Sequence, residues 1–152
     1  MTPTLRELLA AERHGVLATL AARRYGWPYA SVTPYALTAK GEPLFLFSEL
    51  AEHTRNIRAD QRASLLVQAG DALADPLAGA RLTLLGEVEE VPLEERSAAQ
   101  AIYLARQPTA SEYVSMTDFH LFVLRVIEAR FIAGFGDMGW LSGDKLRVLL
   151  RE

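Results

Sequence analysis

Three apolar runs of strand length follow one another near the start of the chain: "GVLATLAA" (15–22), "YASVTPYAL" (29–37) and "PLFLF" (43–47). Only "RRYGWP" (23–28) and "TAKGE" (38–42) separate them. A parallel pair needs a crossover of about a dozen residues or more, so connections this short demand antiparallel pairing. Gly26 and Pro28 mark the first connection as a turn, and Gly41 sits in the second. Pro34 lies inside the second run and cannot donate to a ladder, which predicts a sheet edge or a bulge there.

The later runs keep this spacing. "ASLLVQA" (63–69) and "ARLTLLGEVEEV" (80–91) read as strands, with Gly86 as a bend or bulge in the second. "HLFVLRV" (120–126) and "ARFIAGFG" (129–136) read as two more, joined by a turn near Glu128. Helices fall between them. Thr2 or Thr4 caps the first, Thr4 and Glu7 match a capping box, Leu5, Leu8 and Leu9 share a face, and Gly15 is expected to end it. "ELAEHTRNIRAD" (49–60), "PLEERSAAQAIYLARQ" (92–107) and "SGDKLRVLLRE" (142–152) supply the others, and "GDALADPLAG" (70–79) reads as a loop. The pattern predicts one mainly β domain over residues 1–152, an antiparallel barrel with helices packed outside.

Composition narrows the function. Half of the 152 residues are apolar, enough for one core without staples. The net charge is −3, which argues against a nucleic-acid binder or an anionic-membrane binder. There is no cysteine, hence no disulfide and no thiolate chemistry, which fits a cytoplasmic location. No apolar run approaches the roughly 18–20 residues of a membrane span, and the N-terminus carries charges too early for a signal peptide.

Few motifs carry chemistry. The three histidines, His14, His53 and His120, lack zinc-ligand spacing, so no metal centre is expected. "GFGDMG" (134–139) has no βαβ unit around it and reads as a glycine-rich strand end. The paired acids of "EVEE" and "EERS" read as a solvated strand face and a helix start. No residue is assigned as a catalytic acid, base or nucleophile. "HTRN" (53–56) differs, because it sits where a strand gives way to a helix. Free N–H groups at a helix start favour an anion, Thr54 can donate, and Arg55 can form a bidentate pair with phosphate. A capped surface helix with Arg55 and Arg58 in solvent is the plain alternative. Trp27 and Trp140 stand in loop-like segments, suited to covering a flat ring or closing an interface.

Residues 28–67, with "EHTRNI", "RASLLV", "RLTLLGEVEEV", "YVSMTDFHLF" and "ARFIAGFGDMGWL", resemble the flavin-binding split-barrel superfamily that includes pyridoxamine 5′-phosphate oxidase. The nearer likeness is to its haem-utilisation, HugZ-type branch. The resemblance implies a six-stranded split barrel, a homodimer, and FMN held in a groove at the dimer interface. Ser48, His53, Thr54 and Arg55 then become phosphate-site candidates. Ser31, Val32 and Thr33 become flavin-edge candidates. Arg81 falls where the oxidases use a glutamine, and Trp140 is placed to reach across the interface. Ala30 stands where the oxidases carry an arginine, which gives Arg55 a larger share of the phosphate. The implied activity is that of an FMN-dependent oxidoreductase acting on a small molecule. The HugZ-type branch implies the alternative, haem binding or degradation with His53 or His120 as the imidazole. A dimeric binding module without turnover is a third expectation.

Overall fold

The computed structural model describes residues 3–70, 74–134 and 137–151. Thr2, part of the 70–79 loop, the middle of "GFGDMG" and Glu152 lie outside the described residues.

Helix α1 (Leu5–Ala11) opens with the expected capping box, Thr4 and Glu7 each satisfying the other's backbone N–H. It stops at Glu12, earlier than Gly15. Gly15 belongs instead to strand β1 (His14–Ala21), where a Cβ would lie 2.6 Å from the Leu66 carbonyl oxygen. Its missing side chain permits close strand approach, which explains a glycine there without a helix end. Strand β2 (Trp27–Pro34) returns through a turn with positive φ at Tyr25 and Gly26. Then come β3 (Ala36–Leu37), β4 (Pro43–Ser48), α2 (Glu52–Ala59) and β5 (Arg62–Gln68). They are followed by β6 (Arg81–Glu90), α3 (Arg96–Arg106), β7 (Phe119–Gly134), β8 (Asp137–Ser142) and α4 (Gly143–Arg151).

The strands pair antiparallel in the order β2-β1-β5-β6-β7-β4-β3, with β8 added to β7. This is a curled half-barrel with seven strands along the pairing path, where six were expected. Six of these are strands of six residues or more, and the two-residue β3 is the seventh. The expected turn near Glu128 is absent. β7 runs unbroken for 16 residues, and the irregularity is a bulge: Leu85 pairs with Glu128 but Gly86 with Val126, leaving Ile127 over. A Cβ on Gly86 would sit 2.1 Å from the Arg125 carbonyl oxygen, so the bulge closes only around a glycine. Pro34 ends β2, which is an edge strand, as its missing N–H requires.

Strand alternation sorts the core. Ser31, Leu17, Leu65, Leu84, Ala129 and Leu141 pair successively across the sheet, and the middle four are fully buried. β4 is buried on both faces, which explains the uninterrupted "PLFLF". Phe45 and Phe47 enter the main core with Leu5, Leu8 and Leu9 of α1. Leu44 and Leu46 face a second cluster with Tyr103 of α3. The buried Glu42 carboxylate accepts from Arg125 at 2.9 Å and lies 3.8 Å from Arg147 of α4, so neither side of this contact is an unpaired charge. No described helix is long and apolar enough to cross a membrane.

Candidate functional site

Ser48 is the node from which α2 starts. Its Oγ donates to Asp118 Oδ2 at 3.0 Å and accepts from the Leu50 N–H at 3.1 Å. Its carbonyl accepts from the Ala51 N–H and, at 2.6 Å, from the Thr54 hydroxyl. Thr54 is fully buried. Its one hydroxyl proton is therefore committed to the turn, which corrects the expectation that it donates to a phosphate. Ser48 is likewise occupied in shaping the strand-to-helix junction.

Asn56 also points inward. Its Nδ2 donates to Thr19 Oγ1 at 3.0 Å, and its Oδ1 accepts from the Ala22 N–H at 3.0 Å. It pins the β1–β2 hairpin to α2. The sequence reading missed this role. Ile57 did carry a signal for its neighbours, because His53 and Thr54 lie four and three residues before it, on the same helix face.

His53 lies between these structural contacts and the surface. Its ring centroid is 4.2 Å from that of Phe47, and its Nδ1 is 3.3 Å from Ser31 Oγ. Burial lowers its pKa from the ordinary 6.5, favouring the neutral imidazole. Arg55 is exposed and pairs with Glu52 at 3.2 Å. Ala51, the N-cap residue, offers no side-chain cap. Among the described residues, the N–H groups of Glu52 and His53 have no hydrogen-bond acceptor, the open end a helix start presents to anions.

Ser31 and Thr33 face the inner side of β2, while Val32 faces out. Val32 opens a second row that pairs successively through Val16, Leu66, Thr83 and Arg130 to Trp140. Four of its members are exposed apolar side chains: Val32 69%, Val16 37%, Leu66 38% and Trp140 56%. The Arg130 guanidinium lies 5.3 Å from the Trp140 ring centroid. Trp140 is five strands from β2, roughly 24 Å along the sheet at the usual strand spacing. Its register puts it on the face opposite to Ser31, so within one chain it does not join Ser31 and His53. Arg81 is distant too. Its Nη1 donates to the Pro76, Leu77 and Gly79 carbonyls, holding a loop.

The second imidazole, His120, stands between Glu49 at 3.6 Å and Glu90 at 3.8 Å. Arg58 pairs with both acids and lies over Phe122. Among the described residues, no group of three or more His, Asp or Glu side chains is placed to hold a metal.

The structure thus brings together Ser31, Ser48, His53, Thr54 and Arg55, and leaves Val32, Arg81 and Trp140 spread over the sheet. A curled antiparallel half-barrel, with a free strand edge beside a helix start, is a split-barrel fold. Residues 3–146 match the family described as CREG, beta-barrel, and the chain belongs to that family. It is 37% identical to a heme binding protein from Mycobacterium smegmatis, with a TM-score of 0.88 over 97% of this chain and 62% of that one. It is 31% identical over 140 residues to the non-canonical heme oxygenase HOZ of Arabidopsis thaliana, covering 92% of this chain and 42% of the relative. The chain thus spans less than two thirds of either relative. A Clostridium acetobutylicum protein related to general stress protein 26, of the pyridoxinephosphate oxidase family, shares the fold alone, at 11% identity and a TM-score of 0.69 over 92% of each chain.

Proposed function

We propose that this chain binds haem beside the edge of β2 and serves haem breakdown, in a site completed by a second copy of the chain. The observation that carries the reading is His53: a half-buried imidazole beside the sheet edge, kept neutral by burial and held at Nδ1 by Ser31. A neutral imidazole offers a lone pair to iron, and a partner on one ring nitrogen leaves the other for the metal. His120 is the poorer candidate, since two carboxylates and Arg58 surround it. The names of the Mycobacterium smegmatis and Arabidopsis thaliana relatives support the same ligand.

The neighbouring residues suit a flat anionic macrocycle. Phe47, with its ring centroid 4.2 Å from that of His53, gives the imidazole an apolar neighbour. Arg55 and the free N–H groups of Glu52 and His53 suit carboxylates. Haem, when bound, supplies the iron chemistry. The chain's part is to orient it through His53, to exclude water with apolar side chains, and to hold its acidic groups.

The exposed row from Val32 to Trp140 supports the second copy. Apolar side chains aligned across a sheet are what a two-fold partner buries. Light scattering is expected to give twice the 16.8 kDa chain mass. A single-chain mass at micromolar concentration removes the shared site.

A second reading is FMN, carrying an oxidoreductase activity on a small molecule. The α2 start favours it, because two free N–H groups and Arg55 suit a phosphate and the β2 edge suits the hydrogen-bonding rim of a flavin. One titration followed by visible absorption separates the two. A Soret band that grows to one haem per chain or per site, and is displaced in His53→Ala, supports haem. Flavin bands retained through gel filtration, and weakened by about 1.5–3 kcal/mol in Arg55→Ala, support FMN. Failure of both ligands overturns the cofactor site.

A further inference from the structure

We infer that the groove between α1 and α4 is a second binding site, taking an apolar chain that ends in a carboxylate. Its volume is about 810 Å³, within the range of small-molecule sites. Leu5, Phe131, Leu141 and Leu149 give it an apolar lining. Arg6 and Ala10, one helical turn apart on α1, complete that wall.

The charges at the mouth choose the ligand. Thr4 and Glu7 are engaged with each other: the Thr4 N–H donates to Glu7 Oε2 at 2.9 Å, and the Glu7 N–H donates to Thr4 Oγ1 at 3.1 Å. Among the described residues Arg6 enters no ion pair. A guanidinium beside an apolar groove matches a carboxylate head and an alkyl tail, since the carboxylate accepts two parallel N–H bonds.

The groove is separate from the β2 edge. Leu141 and Ser31 are the two ends of the same inner row, with the four buried core residues between them. Occupants of the two sites do not compete.

Calorimetry of the full chain with dodecanoate, below its micelle concentration, tests the site. Saturable binding of one dodecanoate per chain is expected. Arg6→Glu is expected to weaken it by about ten-fold or more, and Ala10→Trp to abolish it by filling the groove. Both positions are exposed, so circular dichroism and melting should be unchanged in each variant. Haem and FMN titrations of both variants should match the parent, whichever cofactor binds. The inference fails if the parent shows no saturable binding, or if neither variant alters it. Equal affinity for dodecylamine overturns the carboxylate preference. A doubling of mass that Ala10→Trp abolishes, without dodecanoate binding, makes the groove a contact between copies instead.

Discussion

His53 Nδ1 and Ser31 Oγ lie 3.3 Å apart, joining the first turn of α2 to the inner side of the edge strand β2. This contact couples the one half-buried imidazole of α2 to the strand beside the proposed cofactor site. Burial lowers the His53 pKa below 6.5 in the folded chain. The unfolded chain therefore takes up the proton first as pH falls. His53 adds no penalty above pH about 6.5, and stability is lost as pH drops from there through the folded value. Thermal melts from pH 8 to pH 5 should show a steeper loss in the parent than in His53→Gln. Equal slopes would show that His53 is solvated.

Asn56→Ala leaves the Ala22 N–H and the Thr19 hydroxyl without their partner. The Thr19 hydroxyl is buried and the Ala22 N–H part-buried, and a buried unsatisfied group costs about 1–3 kcal/mol. The expected loss is about 2–4 kcal/mol, read as a lower urea midpoint with an unchanged slope. A loss below about 0.5 kcal/mol, the range of an ordinary surface change, would place Asn56 outside the core.

Gly86→Ala should be comparably damaging. The added methyl meets the Arg125 carbonyl at 2.1 Å, and backbone cannot move aside as a flexible side chain can. Overpacking of this kind costs about 1–3 kcal/mol or more. Gly139→Ala is the control, since nothing lies within 4 Å of its Cβ position. Equal melting temperatures for the two variants would contradict the bulge geometry.

Val32→Lys tests the proposed pairing of two copies. Val32 is 69% exposed in the single chain, so its replacement should leave the fold intact. A charge placed in an apolar interface should halve the mass seen by light scattering at micromolar concentration. An unchanged dimer mass would move the interface away from the β2 face.

The sequence by itself determined the local elements and the antiparallel order. Short connections force hairpins, the Thr4–Glu7 box starts α1, Pro34 keeps β2 at an edge, and Gly86 marks the bulge. Each follows from neighbours within a few residues, where sterics and hydrogen bonding act directly. The sequence also singled out the α2 start as the place where an anion would sit. Only the tertiary structure decided what its side chains do there. Thr54 and Asn56 turn inward because Ser48, Thr19 and Ala22 supply their hydrogen-bond partners. β7 runs through Glu128 because β6 pairs with it on both sides of the bulge. Trp140 and Val32 share one exposed row because strand register, set by long-range pairing, chooses the face each side chain takes.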